Sequence, residues 1–106
     1  MIGENEFTVR LLAHDFRVIV ESPTHWSSGG MGRACLMEQT IRLNNIMPND
    51  VRHSTLLHEI VHLISDLTSI ELSEIQVDVV AQGLFTLMKD NPKLIADIAG
   101  IERKRN

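Results

Sequence analysis

The segment His58-Glu59-Ile60-Val61-His62 lies in a run of residues whose apolar positions follow a helical pattern. We predict a helix over residues 51–67. Its apolar residues cover more than one face, so the helix should be largely buried. They are Val51, Leu56, Leu57, Ile60, Val61, Leu63, Ile64 and Leu67. A buried helix must give its histidines and glutamate partners, because an unpaired polar group is costly in an apolar interior.

The spacing of His58 and His62 is typical of a metal site. Residues four apart lie on one face of a helix, so both imidazoles can reach the same ion. Zinc suits neutral imidazole and lowers the pKa of the water it binds to about 7. Glu59 lies beside the pair, where it can accept a proton from that water as a general base. Random shuffling of the chain would produce this motif roughly 0.02 times, so two core histidines spaced by chance are the weaker interpretation.

A second long helix is predicted after a short connection at residues 68–72. Ser73 and Gln76 form the pattern of a capping box at its N-terminus. The helix should run to about Lys89, because Asn91-Pro92 cannot continue it. A short last helix is expected over residues 93–99.

The second helix carries a row of polar residues, Glu74, Asp78 and Gln82, on an otherwise apolar surface. The row is either a solvated stripe or the source of a third metal ligand, which a catalytic zinc site requires. Its closeness to the histidine motif favours a ligand. A tight antiparallel hairpin centred near residue 70 would place His62 opposite Asp78, so the register alone favours Asp78 as that ligand.

The first half of the chain is predicted to form about three strands. They cover residues 7–12 and 16–21 and a segment within residues 34–43, where β-branched residues and partial alternation favour a sheet. Residues 13–15 should form the first turn, and residues 22–32 a loop rich in glycine, serine and proline. A small antiparallel or mixed sheet followed by two packed helices is an α+β fold.

Length and charge limit the function classes. A chain of 106 residues suggests one domain, with a strand-rich part at 1–50, a helical metal-binding part at 51–100 and a tail at 101–106. The formal net charge of −4 argues against a nucleic-acid partner. The apolar runs are too short to cross a bilayer, and no positively charged leader is visible, so we expect a cytoplasmic protein without a membrane partner.

The arrangement of His58, Glu59 and His62 with Glu74 and Asp78 resembles the gluzincin metallopeptidases, which have H-E-x-x-H and a downstream E-x-x-x-D. The chain around these motifs looks like the ImmA/IrrE-type metallopeptidase domains and their small phage and prophage relatives. The resemblance covers roughly residues 40–91. It implies a zincin-like fold in which Glu74 is the third zinc ligand. It also implies that Asp78 orients a ligand histidine, whereas the hairpin register leaves Asp78 as the alternative ligand.

The same resemblance suggests how a substrate would be held. In zincins the strand before the motif helix, here residues 38–43, is the sheet edge that aligns an extended peptide. Peptidases of this type often stabilise the developing oxyanion with a Tyr, His or Arg side chain. Tyrosine is absent from this chain, which leaves His25, His53 or Arg42. The loop at residues 22–33 is either a lid over the site or a disordered connection.

We therefore expect a zinc-dependent peptidase that acts on a peptide or protein substrate. His58, His62 and Glu74 would hold zinc, and Glu59 would deprotonate the metal-bound water that attacks the peptide bond. One alternative is a catalytically weak or inactive metal-binding interaction protein, such as a phage or prophage accessory factor. Another is a metal-free helical binding domain.

Overall fold

Four strands and three helices are formed by residues 6–22 and 30–101, the parts of the chain that the computed structural model describes. The strands are β1 (Glu6–Leu11), β2 (His14–Glu21), β3 (Gly32–Cys35) and β4 (Thr40–Asn44). The helices are α1 (Asn49–Thr68), α2 (Glu74–Asp90) and α3 (Pro92–Ile98). The predicted α+β class is confirmed.

The strands form one mixed sheet in the order β1-β2-β4-β3. The outer pairs β1/β2 and β3/β4 are antiparallel, whereas β2 and β4 run parallel at the centre. The strand predicted within residues 34–43 corresponds to β4, and a further strand, β3, precedes it, because residues 36–39 form a turn that separates the two. Gln39 in this turn has a φ of 53°. Its carbonyl accepts a hydrogen bond from the amide of Arg17 in β2.

The turn between β1 and β2 lies at Leu12 and Ala13 and not at the predicted residues 13–15. Both residues have positive φ angles, 49° and 68°. Positive φ at both central positions is the geometry of a two-residue type I′ hairpin, whose twist matches that of the strands. Leu11 pairs directly with His14, so His14 belongs to β2.

The main core lies between the sheet and α1. Alternate residues of β2 and β4 point to the same side of the sheet, as expected for strands with one covered face. These strand residues pack against Leu63 of α1 and Met47, and all members of the cluster are fully or almost fully buried. The strand residues are Phe16, Val18, Val20, Ile41 and Leu43. A second cluster joins α1 to α2 through Val61, Val77 and Ala81. Helix α1 therefore packs against both the sheet and α2.

The N-terminus of α2 has the predicted capping box. The Ser73 hydroxyl accepts a hydrogen bond from the Gln76 amide at 3.1 Å, and the Gln76 side chain accepts one from the Ser73 amide at 2.8 Å. These bonds satisfy amides that lack partners within the first turn. They also fix Glu74, the first residue of α2, immediately after the cap.

None of the helices in the described ranges is long and apolar enough to span a bilayer. Residues 23–29 of the predicted loop lie outside the described residues, as do residues 102–106 of the predicted tail.

Candidate metal centre

The two histidines of the motif lie on one face of α1, as their spacing predicts. The ring centroids of His58 and His62 are 4.9 Å apart, and the rings meet edge to face. Both side chains are partly exposed, at 24% and 35%. Their Nε2 atoms both approach the carboxylate of the same residue, Glu74.

Glu74 bridges the two histidines from the start of α2. Its Oε2 atom is 2.8 Å from Nε2 of His58, and its Oε1 atom is 3.2 Å from Nε2 of His62. His58, His62 and Glu74 each offer a ligand atom, and these atoms all lie within 4.8 Å of one another. Among the described residues this trio can therefore hold a metal ion.

The donor set of the trio fits zinc. Zinc binds imidazole nitrogen and carboxylate oxygen at about 2.0–2.2 Å in tetrahedral geometry, so neighbouring ligand atoms should lie about 3.3 Å apart. The Nε2 atoms of His58 and His62 lie 2.8 and 3.2 Å from the two different oxygens of Glu74, and one ligand atom from each residue lies within 4.8 Å of the others, which brackets that spacing. Three protein ligands are the usual number at a catalytic zinc site, which keeps a further position for water or substrate.

Asp78 contacts the other nitrogen of His58. The distance from Asp78 Oδ1 to His58 Nδ1 is 2.9 Å. Histidine ligands usually donate their second N–H to a carboxylate, which fixes the tautomer and ring orientation and makes the ligand more basic. Asp78 lies one helical turn after Glu74, so the carboxylates contact opposite nitrogens of one imidazole. Asp78 therefore contacts the nitrogen of His58 that faces away from Glu74, which is not the position expected if Asp78 were the third ligand.

The simple hairpin register predicted from the sequence is wrong. His62 faces Glu74 and His58 faces Asp78, so the hairpin is centred near residue 68 instead of 70. Helix α1 ends at Thr68, and the next residue, Ser69, has a left-handed conformation with a φ of 59°, which turns the chain sharply. The shift of about one helical turn brings the carboxylate of Glu74 to the histidines.

Ser65 forms hydrogen bonds with the connection between α1 and α2. The sequence does not predict this residue as part of the site. Its hydroxyl donates to the carbonyl of Ile70 at 2.6 Å and accepts from the amide of Leu72 at 3.2 Å. A serine on the last turns of a helix commonly bonds within its own helix, so no local sequence signal marks this contact. Through these bonds Ser65 helps set the position at which α2 begins.

Glu59 is buried beside the histidines, with only 8% of its surface exposed. Burial raises the pKa of the Glu59 carboxyl above its usual value, because the charged form loses hydration. His58 and His62 lower the pKa, and Glu74 raises it. A carboxylate that binds a proton more readily than usual is suited to general-base chemistry.

A cleft of about 780 Å³ opens beside the trio. His58, Glu59 and Asp78 line one end of it, and its walls come from β3, α1 and α2. Gly32 allows β3 to approach α1 closely. A Cβ atom at this position would lie 2.7 Å from the Thr55 methyl group. The volume falls in the range of small-ligand sites.

Of the side chains predicted to stabilise an oxyanion, the two that the structure describes, Arg42 and His53, do not line this cleft. Arg42 contacts Glu21 at 3.0 Å and lies on the strand side opposite the buried Ile41 and Leu43. His53 is exposed and does not line the cleft. His25 lies outside the described residues, as does most of the predicted lid.

The prediction that residues 38–43 form a sheet edge is also wrong. These residues include β4, which has β2 on one side and β3 on the other. The edge nearest the cleft is β3, whose first residue, Gly32, lines the cleft together with Met31. The strand before α1 is not at the edge because β3, which precedes the turn at residues 36–39, pairs with its outer side.

Comparison of the chain with models of protein families, with curated proteins and with solved structures finds no match in any of the three.

Proposed function

We propose that this protein is a zinc-dependent peptidase with His58, His62 and Glu74 as metal ligands. The observation that carries the proposal is the convergence of both Nε2 atoms on the Glu74 carboxylate, at 2.8 and 3.2 Å, next to a buried glutamate. A structural metal site has no need of a general base, so Glu59 favours a catalytic role. The same residues support our proposal that the chain is related to the gluzincin and ImmA/IrrE-type peptidases.

Zinc bound by the trio would acidify a coordinated water and polarise a substrate carbonyl. Asp78 holds the proton on Nδ1 of His58, so that Nε2 is kept available as a ligand. Glu59 accepts a proton from the attacking water at its carboxylate and can deliver it to the amide nitrogen of the leaving group. Its limited exposure keeps bulk water from competing for that carboxylate.

The outer edge of β3 is the proposed binding place for an extended substrate. An extended peptide can add to the edge strand of a sheet through backbone hydrogen bonds. Among the described strands β3 lies at one edge of the sheet, and residues at its start line the cleft that contains His58 and Glu59. A peptide paired with β3 would therefore pass the candidate metal centre.

The test compares zinc-loaded wild type with Glu59→Gln on a peptide library, with cleavage products identified by mass spectrometry. We expect Glu59→Gln to lose roughly 10²–10⁴-fold in cleavage rate while it retains zinc. Glu71→Gln, which changes an exposed carboxylate in the α1–α2 connection, is the matched control and should cleave normally. Equal amounts of product from wild type and Glu59→Gln would refute the catalytic role.

A metal-stabilised interaction protein is the second candidate. It is favoured by apolar side chains exposed on the last two helices, where Ile75 is 74%, Val79 67% and Ile98 73% exposed. Exposed apolar groups of this size often belong to protein contacts. A wild-type protein that binds zinc and cleaves no member of the library would support this candidate over the peptidase.

A further inference from the structure

Gln82 is the third member of the polar row on α2, and the metal centre does not use it. Glu74 and Asp78 contact the histidines, whereas Gln82 lines the cleft one turn beyond Asp78. Its side chain is exposed. An amide carries both hydrogen-bond donors and an acceptor but no charge.

Among the described residues, the charged groups that line the cleft lie at its metal-site end. They are Glu59 and Asp78, both acidic, next to His58. The other lining residues described are neutral: hydroxyl groups of Ser54, Thr55 and Thr86, the amide of Gln82, and the small or apolar Met31, Gly32, Val79, Ala81 and Gly83. The part of the cleft away from the metal site therefore offers hydrogen bonds and apolar contact without a counter-charge.

We infer that this cleft receives a neutral substrate side chain and that Gln82 is the residue that determines this specificity. The inference rests on the proposed function and adds the class of side chain that the site accepts. A neutral side chain can pack against Val79 and bond to the Gln82 amide. The Thr86 hydroxyl donates to the carbonyls of Gln82 and Gly83, and it can accept a hydrogen bond from such a side chain. An acidic side chain would lose hydration without gaining a cation among the described lining residues, and it would lie near Asp78, whose charge repels it.

A charge introduced at Gln82 should therefore change the preference and not merely weaken binding. Gln82→Lys adds a cation on an exposed helix position, where lysine and glutamine have similar helix propensity. Peptides with Asp or Glu should then be preferred. Val80→Lys is the matched control, because it adds the same charge two residues away on α2 at a position that does not line the cleft.

The experiment uses zinc-loaded Glu59→Gln protein, immobilised and incubated with a pool of random decapeptides. The composition of the retained peptides is read by mass spectrometry. We expect Asp and Glu to be depleted about tenfold at one peptide position. We expect Gln82→Lys in the same background to reverse this depletion, while Val80→Lys leaves it unchanged.

The inference would be overturned if Glu59→Gln protein and Glu59→Gln/Gln82→Lys protein retained peptides of the same Asp and Glu content. It would also be overturned if neither protein retained any peptide. Cleavage of the same pool by wild-type protein separates this result from the proposed function. Selective retention without cleavage would refute the peptidase and leave the cleft assignment standing. Cleavage whose side-chain preference Gln82→Lys does not alter would refute the cleft assignment alone.

Discussion

Glu74 and Asp78 should contribute very differently to metal affinity, although both are exposed carboxylates on one face of α2. Glu74 contacts the Nε2 atoms of both histidines, whereas Asp78 contacts only Nδ1 of His58. Structural zinc in four-ligand sites is bound with about 10–16 kcal/mol, so one ligand is worth about 3 kcal/mol. Glu74→Gln should thus weaken zinc binding on the order of 10²–10³-fold.

Asp78→Asn should have a smaller effect, about 10–100-fold, which is typical when a histidine ligand loses its carboxylate partner. Glu74 and Asp78 side chains are 63% and 60% exposed, so both metal-free variants should fold. Glu71→Gln is the charge-matched control and should bind zinc as tightly as wild type.

Competition with a chromophoric chelator of known affinity measures the dissociation constants directly. Thermal unfolding provides an independent scale, because zinc at 100 times its dissociation constant stabilises the folded state by about 2.7 kcal/mol. A larger loss of affinity in Asp78→Asn than in Glu74→Gln would refute the ligand assignment and would make Asp78 the third ligand.

Three further changes test the supports of the site. Ser65→Ala should lower the free energy of unfolding by about 1 kcal/mol and weaken zinc binding, because two hydrogen bonds to the α1–α2 connection are lost. Denaturant unfolding measures the loss of stability, and chelator competition measures the loss of zinc affinity. Unchanged zinc affinity would show that Ser65 does not position α2. Gly32→Ala should cost about 1–3 kcal/mol, since the new methyl group would overlap the Thr55 side chain, and Thr55→Ser should restore much of the loss. Stability that Thr55→Ser does not restore would locate the strain elsewhere. Metal-free Glu59→Gln should melt at a higher temperature than metal-free wild type at pH 7. Burial raises the pKa of Glu59 in the folded state, so ionised Glu59 destabilises the folded wild type above that pKa. The wild type should recover this stability as the pH falls towards 4.5 and Glu59 becomes protonated. A difference in melting temperature that persists unchanged at low pH would contradict this origin.

The helices and their ends could be predicted from the sequence because local chemistry determines them. Apolar spacing marks α1, and Ser73 with Gln76 marks the start of α2. The β1–β2 turn could not be located in this way. Leu12 and Ala13 adopt positive φ angles that usually favour glycine or asparagine, so the residues carry no signal for this turn.

Sequence spacing also cannot predict which carboxylate contacts which histidine. Spacing shows that Glu74 and Asp78 share a face, but the conformation of the connection decides which histidine each one meets. That conformation depends on the left-handed Ser69 and on the Ser65 hydroxyl, whose partners lie five and seven residues further along the chain. The position of the edge strand β3 could not be predicted either, because no sequence signal marks the turn that separates β3 from β4.

A crystal structure of zinc-loaded protein, with anomalous data collected on both sides of the zinc absorption edge, tests the proposed metal centre most directly. We predict one zinc ion per chain at about 2.0–2.1 Å from Nε2 of both His58 and His62, with a Glu74 oxygen as the third protein ligand. Asp78 should remain hydrogen-bonded to Nδ1 of His58. Protein that takes up no stoichiometric zinc, or zinc bound without Glu74, would contradict the proposed centre.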